Sequence, residues 1–464
     1  MWVPDGSRLT DCGSHATVRA MIGQDGKSRP PGPRTPAVVQ AIQEAFFSPH
    51  FYGQRSRYGR TWWARLPGRP RYVITSDREV IRRLFTGNPL TKRSAAEPLE
   101  PLVGQRSLLL LEPAEHLARR KLELAPFHGK RIALYAERIR DLVEAEVAGW
   151  RPGEVIEVYP RAQALTMSVI LELVIGVKDA GLLRRLASTF EALIAPRINN
   201  MTMFLPPWVS RRSWWKLYAR RAWSLRDALD EMMFEQIAAT RADPSIARRD
   251  DVLALLVQAQ DEQGEGLTDG ELRDELVTLL GGGHETTASA IAWGADLLAH
   301  NPDVASRLHE GDRDYLTATA KEVLRIRTVV PMSAQRRVRE PLEIEGHRID
   351  SHTVIAVDAD GLHHDPELYP DPYAFRPERF LENPPDGYAY LPFGGGAHRC
   401  LGAALAMLEL EQAMQTISSR CLLAPTGRPA RPIRRGPTWS PDNRGRIRVT
   451  HVRERETPRA ATAA

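Results

Sequence analysis

The chain has 464 residues, 42% hydrophobic and 26% charged, an ordinary globular composition that excludes a mainly disordered or fibrous protein. Its formal net charge of +5, from 63 Lys+Arg against 58 Asp+Glu, is too small and too dispersed for a nucleic-acid-binding protein. Three cysteines, Cys12, Cys400 and Cys421, are odd in number and far apart, which excludes a disulfide framework and points to a reducing, cytoplasmic setting.

In chain order, residues 1–28 are polar and aperiodic and read as a flexible N-terminal extension, with Met21 a second conceivable start. They carry no signal-peptide pattern, and no stretch reaches the roughly 18 apolar residues of a membrane span. Pro30, Pro31, Pro33 and Pro36 punctuate the start of one large domain over 29–453. A strand is expected at Arg71–Thr75 and a helix at 77–84 with Asp77 near its start. Apolar residues three and four apart then predict helices over 114–150, 160–176, 180–195, 213–242, 250–262 and 269–299. Beyond Arg325, alternating runs such as Leu342–Glu345 and Val354–Val357 predict small strands, and a last long helix starts near residue 401. The tail 454–464 is expected to be loose. The fold class is therefore mainly α with small β-sheets.

The chemistry concentrates in Phe393-Gly-Gly-Gly-Ala-His-Arg-Cys-Leu-Gly402. Cys400 is expected at a helix N-terminus, where free N–H groups and the positive dipole end favour a thiolate. The glycines permit positive φ and close approach to a flat ligand, and Phe393 can shield the sulfur. A second unusual segment is Gly281-Gly-Gly-His-Glu-Thr286, where three glycines each cost roughly 1 kcal/mol in a helix interior. A mid-helix Thr286 has an ordinary use in bonding back to a carbonyl four residues earlier, and a catalytic use beside Glu285. Glu322 with Arg325 repeats a spacing also present as Glu137 with Arg140 and Glu310 with Arg313, so spacing alone says little. His116 and Arg120, four apart, share one helix face.

Together these segments resemble the cytochrome P-450 family. The pattern F-x-x-G-x-x-x-C-x-G matches at Phe393, Gly396, Cys400 and Gly402, and Gly394 and His398 suit the bacterial form of that loop. Gly282, Gly283, Glu285 and Thr286 resemble the oxygen-activating motif, with Gly282 where many members have alanine. Glu322 and Arg325 resemble the E-x-x-R pair, and Arg379 in Phe375–Phe380 its partner arginine. The resemblance spans about residues 30–450. It implies a single-domain P-450 fold carrying haem b, with Cys400 as the iron's axial ligand. It further implies that His116, Arg120, His398 and Arg336 meet the haem propionates, with Arg337 and Arg339 leaving the register of Arg336 open.

The activity so implied is insertion of one oxygen atom from dioxygen into a hydrophobic substrate such as a fatty acid, terpenoid or steroid. Thr286 and Glu285 would serve as catalytic residues, and Glu322, Arg325 and Arg379 as a structural triad. No flavin or nicotinamide domain is visible, so NAD(P)H electrons are expected through a separate ferredoxin or flavodoxin and its reductase. The docking face would be basic, from Arg119, Arg120, Lys121, Lys130, Arg131 and Arg399. Family analogy draws the pocket wall from Leu108–Leu111, Met203, Phe204, Leu205, Leu279, Leu280, Val329, Val330, Met332 and Trp439. The Trp/Arg-rich stretch 208–226 has two uses, a solvated basic helix or a lid touching membrane. A monomer is expected. Two rival functions are a peroxide-driven or dioxygen-independent haem-thiolate enzyme, which usually lacks the acid-threonine pair, and a haem sensor without turnover, for which no effector domain is visible.

Overall fold

The computed structural model describes residues 29–453 apart from 68, 87–90, 95, 128 and 195–212. The extension 1–28, the tail 454–464 and the pocket candidates Met203, Phe204 and Leu205 lie outside the described residues. Helix α1 (Ala37–Phe46) leads to strands β1 (Thr61–Ala64) and β2 (Tyr72–Thr75). All four residues of β2 are buried, and Asp77 caps helix α2 (Arg78–Phe85), its carboxylate accepting from Val80 N at 2.9 Å. Strand β3 (Thr91–Ser94) follows.

The helix expected over 114–150 is two helices, α3 (Pro113–Leu124) and α4 (Lys130–Ala148). Pro126 cannot donate to the α-helical ladder, and Gly129 takes φ 63°, so the chain turns between them. Strand β4 (Val155–Glu157) precedes α5 (Val158–Val169), which widens over Ile170–Val174 into a π-helical turn, Ile175 N donating to Ile170 O at 3.1 Å. Helices α6 (Ala180–Ile194), α7 (Ser213–Arg241) and α8 (Val252–Gln258) come next. The last is shorter than the expected 250–262, because the chain turns back through a bridge between Gln260 and Gly266.

Helix α9 (Asp269–His300) is the axis of the fold, roughly 48 Å long at the usual rise per residue. Thr268 and Glu271 form a reciprocal capping box at its start, worth roughly 1 kcal/mol. Leu272, Leu276, Leu280 and Trp293 are fully buried along it, and burial of each such side chain contributes roughly 1.5–3 kcal/mol. Helices α10 (Pro302–His309) and α11 (Arg313–Ile326) return the chain to strands β5 (Met332–Val338), β6 (Leu342–Ile344), β7 (His347–Ile349) and β8 (Val354–Asp358). The final long helix, α12, spans Ala403–Arg420, and its Leu405, Leu410 and Met414 share the main core with α9.

Four strands end the chain: β9 (Cys421–Pro425), β10 (Pro432–Arg435), β11 (Thr438–Pro441) and β12 (Arg446–Val452). The largest sheet runs β1-β2-β8-β5-β3, with only the β2/β8 pair parallel. Smaller sheets are β4-β12-β9, β10-β11 and β6-β7.

Candidate active site

Between β8 and α12 the chain runs through turns and short helical segments with no long element, so its order must come largely from side chains. Glu322, Arg325 and Arg379 supply it. Glu322, with no exposed surface, accepts from Arg325 Nε at 2.7 Å, Arg325 Nη2 at 2.8 Å, Arg379 Nε at 3.0 Å and Arg376 N at 3.0 Å. Arg325 also donates to the carbonyls of His363, Pro372 and Ala374, and Arg379 to those of Pro370, Asp371 and Ala374. Two guanidinium forks thus saturate a backbone that no sheet covers. His363 extends the network. It exchanges a hydrogen bond with Thr328 at 3.1 Å and accepts from Leu391 N at 2.9 Å, two residues before Phe393. Burial pushes its pKa down to about 3, so it is neutral and acts as donor and acceptor.

The loop that follows holds Cys400. Cys400 N donates to Phe393 O at 2.9 Å, and Phe393 packs against the main core. Gly394 and Gly396 have φ of 63° and 64°, a conformation that costs a side chain dearly. At Gly396 a Cβ would stand 2.7 Å from Phe85 O, so this glycine also lets the loop close on α2. Gly394 and Gly402 have nothing within 4 Å of a built Cβ and face open space. Cys400 is a free, accessible thiol. Burial raises its pKa, and this outweighs the opposing Gly402 N–H, Arg120 and Arg399. The helix after Cys400, α12, begins at Ala403, and the Gly402 N–H next to it favours the thiolate, as a bound metal ion would further.

Basic side chains gather near Cys400. His116 and His398 stack with ring centroids 3.8 Å apart. Burial, then Arg120 and Arg336, push His116 down to about 4. Burial, then Arg336, His116 and Arg120, push His398 down to about 3. Arg336 is buried on β5, whereas Arg337 pairs with Glu97 at 2.7 Å and Arg339 is exposed. Among the described residues neither Arg120 nor Arg336 has a carboxylate in ion-pair range, and His116 Nδ1 is buried without a partner. Four basic groups in mutual reach, with one orphan donor or acceptor, fit an anionic ligand edge. A thiol within electrostatic reach of Arg120 fits a soft metal.

On α9, Gly282 has nothing within 4 Å of a built Cβ, whereas a Cβ on Gly283 would collide with Ile170 Cδ1 in the π-helical turn. The missing side chain of Gly283 makes room for the π-helical turn that follows α5. Thr286 Oγ1 donates to Gly282 O, the ordinary back-bond, and Glu285 is held by Tyr159 Oη and by Gln163 Nε2, the latter at 3.0 Å. His284 is fully buried against Thr166, its pKa pushed down to about 4 by burial. Tyr159, Gln163, Thr166 and His363 carry no motif, and their partners lie tens to over a hundred residues away. The pocket candidates Leu280 and Trp439 are both buried. Leu280 is covered within the main core, and Trp439 packs on Tyr52 and donates to Ser48 Oγ at 2.9 Å. Of the expected basic face, Arg119 turns inward to Glu271 and Glu123, Lys121 lies 3.6 Å from Glu262 and Arg131 2.9 Å from Asp250. Arg399 is exposed, and the side chain of Lys130 lies outside the described set.

The cytochrome P450 family model matches residues 30–441, almost the whole described chain. The chain belongs to the cytochrome P450 family. A putative cytochrome P450 135B1 of Mycobacterium bovis is 36% identical to it, covering 96% of both chains. A putative cytochrome P450 137 of Mycobacterium tuberculosis is 34% identical, covering 85% of both. Among solved P450 structures, retinoic acid-bound cyanobacterial CYP120A1 superposes with a TM-score of 0.80 at 23% identity, over 92% of this chain and all of that one. The haem domain of cytochrome P450DA gives 0.78 at 21% identity, over 92% and 98%. The protein is thus a haem-dependent P450 monooxygenase with the P450 fold, and no helix among its described residues is long and apolar enough to cross a membrane.

Proposed function

We propose that Cys400 is the axial ligand of haem b and that the enzyme oxygenates an apolar substrate, with NAD(P)H electrons delivered by a separate ferredoxin or flavodoxin and its reductase. The observation that supports this reading is the free, accessible Cys400 thiol within electrostatic reach of Arg120, which groups with Arg336 and two neutral histidines. Haem, when bound, supplies the redox and dioxygen chemistry. In haem-thiolate enzymes the sulfur's electron donation favours O–O cleavage.

The chain's own residues do the rest. Arg120 and Arg336 offer planar donors to propionates, and neutral His116 and His398 add N–H donors with little desolvation cost. Thr286 commits its proton to Gly282 O, which leaves its oxygen lone pairs free to accept from an ordered water. Glu285 is tied to Tyr159 and Gln163, and release of those bonds would let it carry protons from solvent to that water. The preserved Glu285 and Thr286 favour dioxygen use over a peroxide-driven reaction. Leu108, Val329, Leu279, Val330 and Met332 supply an apolar wall for a fatty acid, terpenoid or steroid. Free Cys400 and Cys421 suit a cytoplasmic, reducing setting.

The test is the reduced carbon-monoxide spectrum. Wild type should show the strongly red-shifted Soret band of thiolate ligation, Cys400→His should move it to the imidazole position, and Cys421→Ser should leave it unchanged. An imidazole-type band in the wild type overturns the assignment. Substrate-induced spin-state shifts across a lipid and terpenoid library then define the ligand class.

A further inference from the structure

Helix α1 is built inside out. Its polar residues Gln40 and Glu44, four apart, are 0% and 1% exposed. On the opposite face Val38, Ile42 and Phe46 recur every four residues at 60%, 47% and 72% exposure, and Val39 and Phe47 widen the stripe. A water-facing helix shows the reverse pattern. The orientation is pinned: Gln40 Nε2 donates to Thr35 O at 2.8 Å, Gln40 Oε1 accepts from Arg65 N at 2.8 Å, and Glu44 pairs with Arg434 of β10. Rolling α1 to hide its apolar face would break these bonds and strand a buried charge pair. A contiguous exposed apolar stripe held outward in this way marks a contact surface.

Charge identifies what it contacts. Residues 29–71 contain eight arginines and one acid, Glu44, which is buried and paired. Arg34, Arg57 and Arg65 are exposed and, among the described residues, have no ion pair. A second copy of the chain would bring two such basic rims together, which is unfavourable. Residues 1–28 hold three acids against three Lys+Arg and offer no complementary charge. An anionic lipid bilayer supplies both needs, an apolar boundary for Phe46 and Phe47 and phosphates for the arginines. We propose that α1 and its basic rim dock the enzyme peripherally on an anionic membrane surface, the apolar stripe entering the headgroup region.

The test uses the full-length holoenzyme in co-sedimentation with vesicles of phosphatidylcholine alone and of phosphatidylcholine with phosphatidylglycerol. Binding is expected to the anionic vesicles and to weaken as salt rises. Phe46→Ser with Phe47→Ser should lower the partition coefficient roughly tenfold or more. Arg34→Gln, Arg57→Gln and Arg65→Gln together should remove the preference for anionic lipid. Light scattering and the carbon-monoxide spectrum confirm folding of each variant, and Val38→Ser with Ile42→Ser replaces the phenylalanine pair if that variant fails. The proposal is overturned if wild type ignores anionic vesicles or if folded stripe variants bind as well as wild type. A concentration-dependent dimer that the serine variants dissociate would overturn it too, by assigning the face to a second copy.

Discussion

Glu322→Ala removes the acceptor of four hydrogen bonds from a site with no exposed surface. Four charge-assisted bonds at roughly 1.5–3 kcal/mol each would suggest a loss above 6 kcal/mol, but the partners are not left bare. Arg325 keeps three carbonyl acceptors and Arg379 keeps three, so the two guanidinium groups lose their counter-charge and only part of their hydrogen bonding. The expected cost is therefore near the lower end of the roughly 3–5 kcal/mol found when a buried pair loses one member. That is a large share of the roughly 5–15 kcal/mol available to a folded protein. Thermal and urea unfolding of the haem-loaded protein, with haem content by absorbance, measures it. Glu310→Ala, exposed at the end of α10, is the control and should change stability by less than about 0.5 kcal/mol. Equal effects at Glu322 and Glu310 would refute the reasoning, because burial and ligation would then be irrelevant to the loss.

On α9, Gly282→Ala should stabilise the protein by about 1 kcal/mol through helix propensity, since a Cβ there meets nothing. Gly283→Ala should instead cost about 1–3 kcal/mol through overpacking, and Ile170→Val, which deletes the colliding Cδ1, should recover most of it in urea unfolding. His116, His284 and His398 have depressed pKa values of about 4, 4 and 3, so the folded protein favours their neutral forms. Their contribution is complete above the ordinary histidine pKa and is lost as pH falls from about 6.5 towards 4, so haem-free protein should melt lower at pH 5 than at pH 7. His116→Gln should flatten that slope, which thermal melts across this window would detect. Thr286→Ala should keep haem and substrate binding and still consume NADPH, but divert flux to hydrogen peroxide. An unchanged ratio of product to NADPH would remove Thr286 from proton delivery, unless a hydroxyl-bearing substrate replaces it, which a substrate without hydroxyls decides.

The helical core, the β2 strand and the Asp77 cap were legible because periodicity and capping are local. The cysteine loop was equally legible as a contiguous run. What sequence could not give was the identity of each glycine's neighbour. Gly396 answers to Phe85 and Gly283 to Ile170, contacts between segments over a hundred residues apart. The same holds for Arg119, which looked like surface charge on α3 and is spent on the start of α9. Strands β9 to β11 escaped because they are only four or five residues long, and β12 because exposed Arg446 and Arg448 alternate with buried Ile447 and Val449. The break at Pro126 was present in the sequence, and helix-forming composition on both sides hid it.

The network around Glu322 has a kinetic side. From residue 364 to 392 the backbone lacks long helices and strands, and the carbonyls of Pro370, Asp371, Pro372 and Ala374 are held by just two arginines. Such a segment has no ladder from which it can fray residue by residue. It should open and close as one unit, and only when α11 undocks, so its amides should exchange with deuterium at nearly a common rate set by that helix. Because His363 joins this unit to Leu391, the sulfur of Cys400 would be mobile only in the rare moments when the whole unit is open.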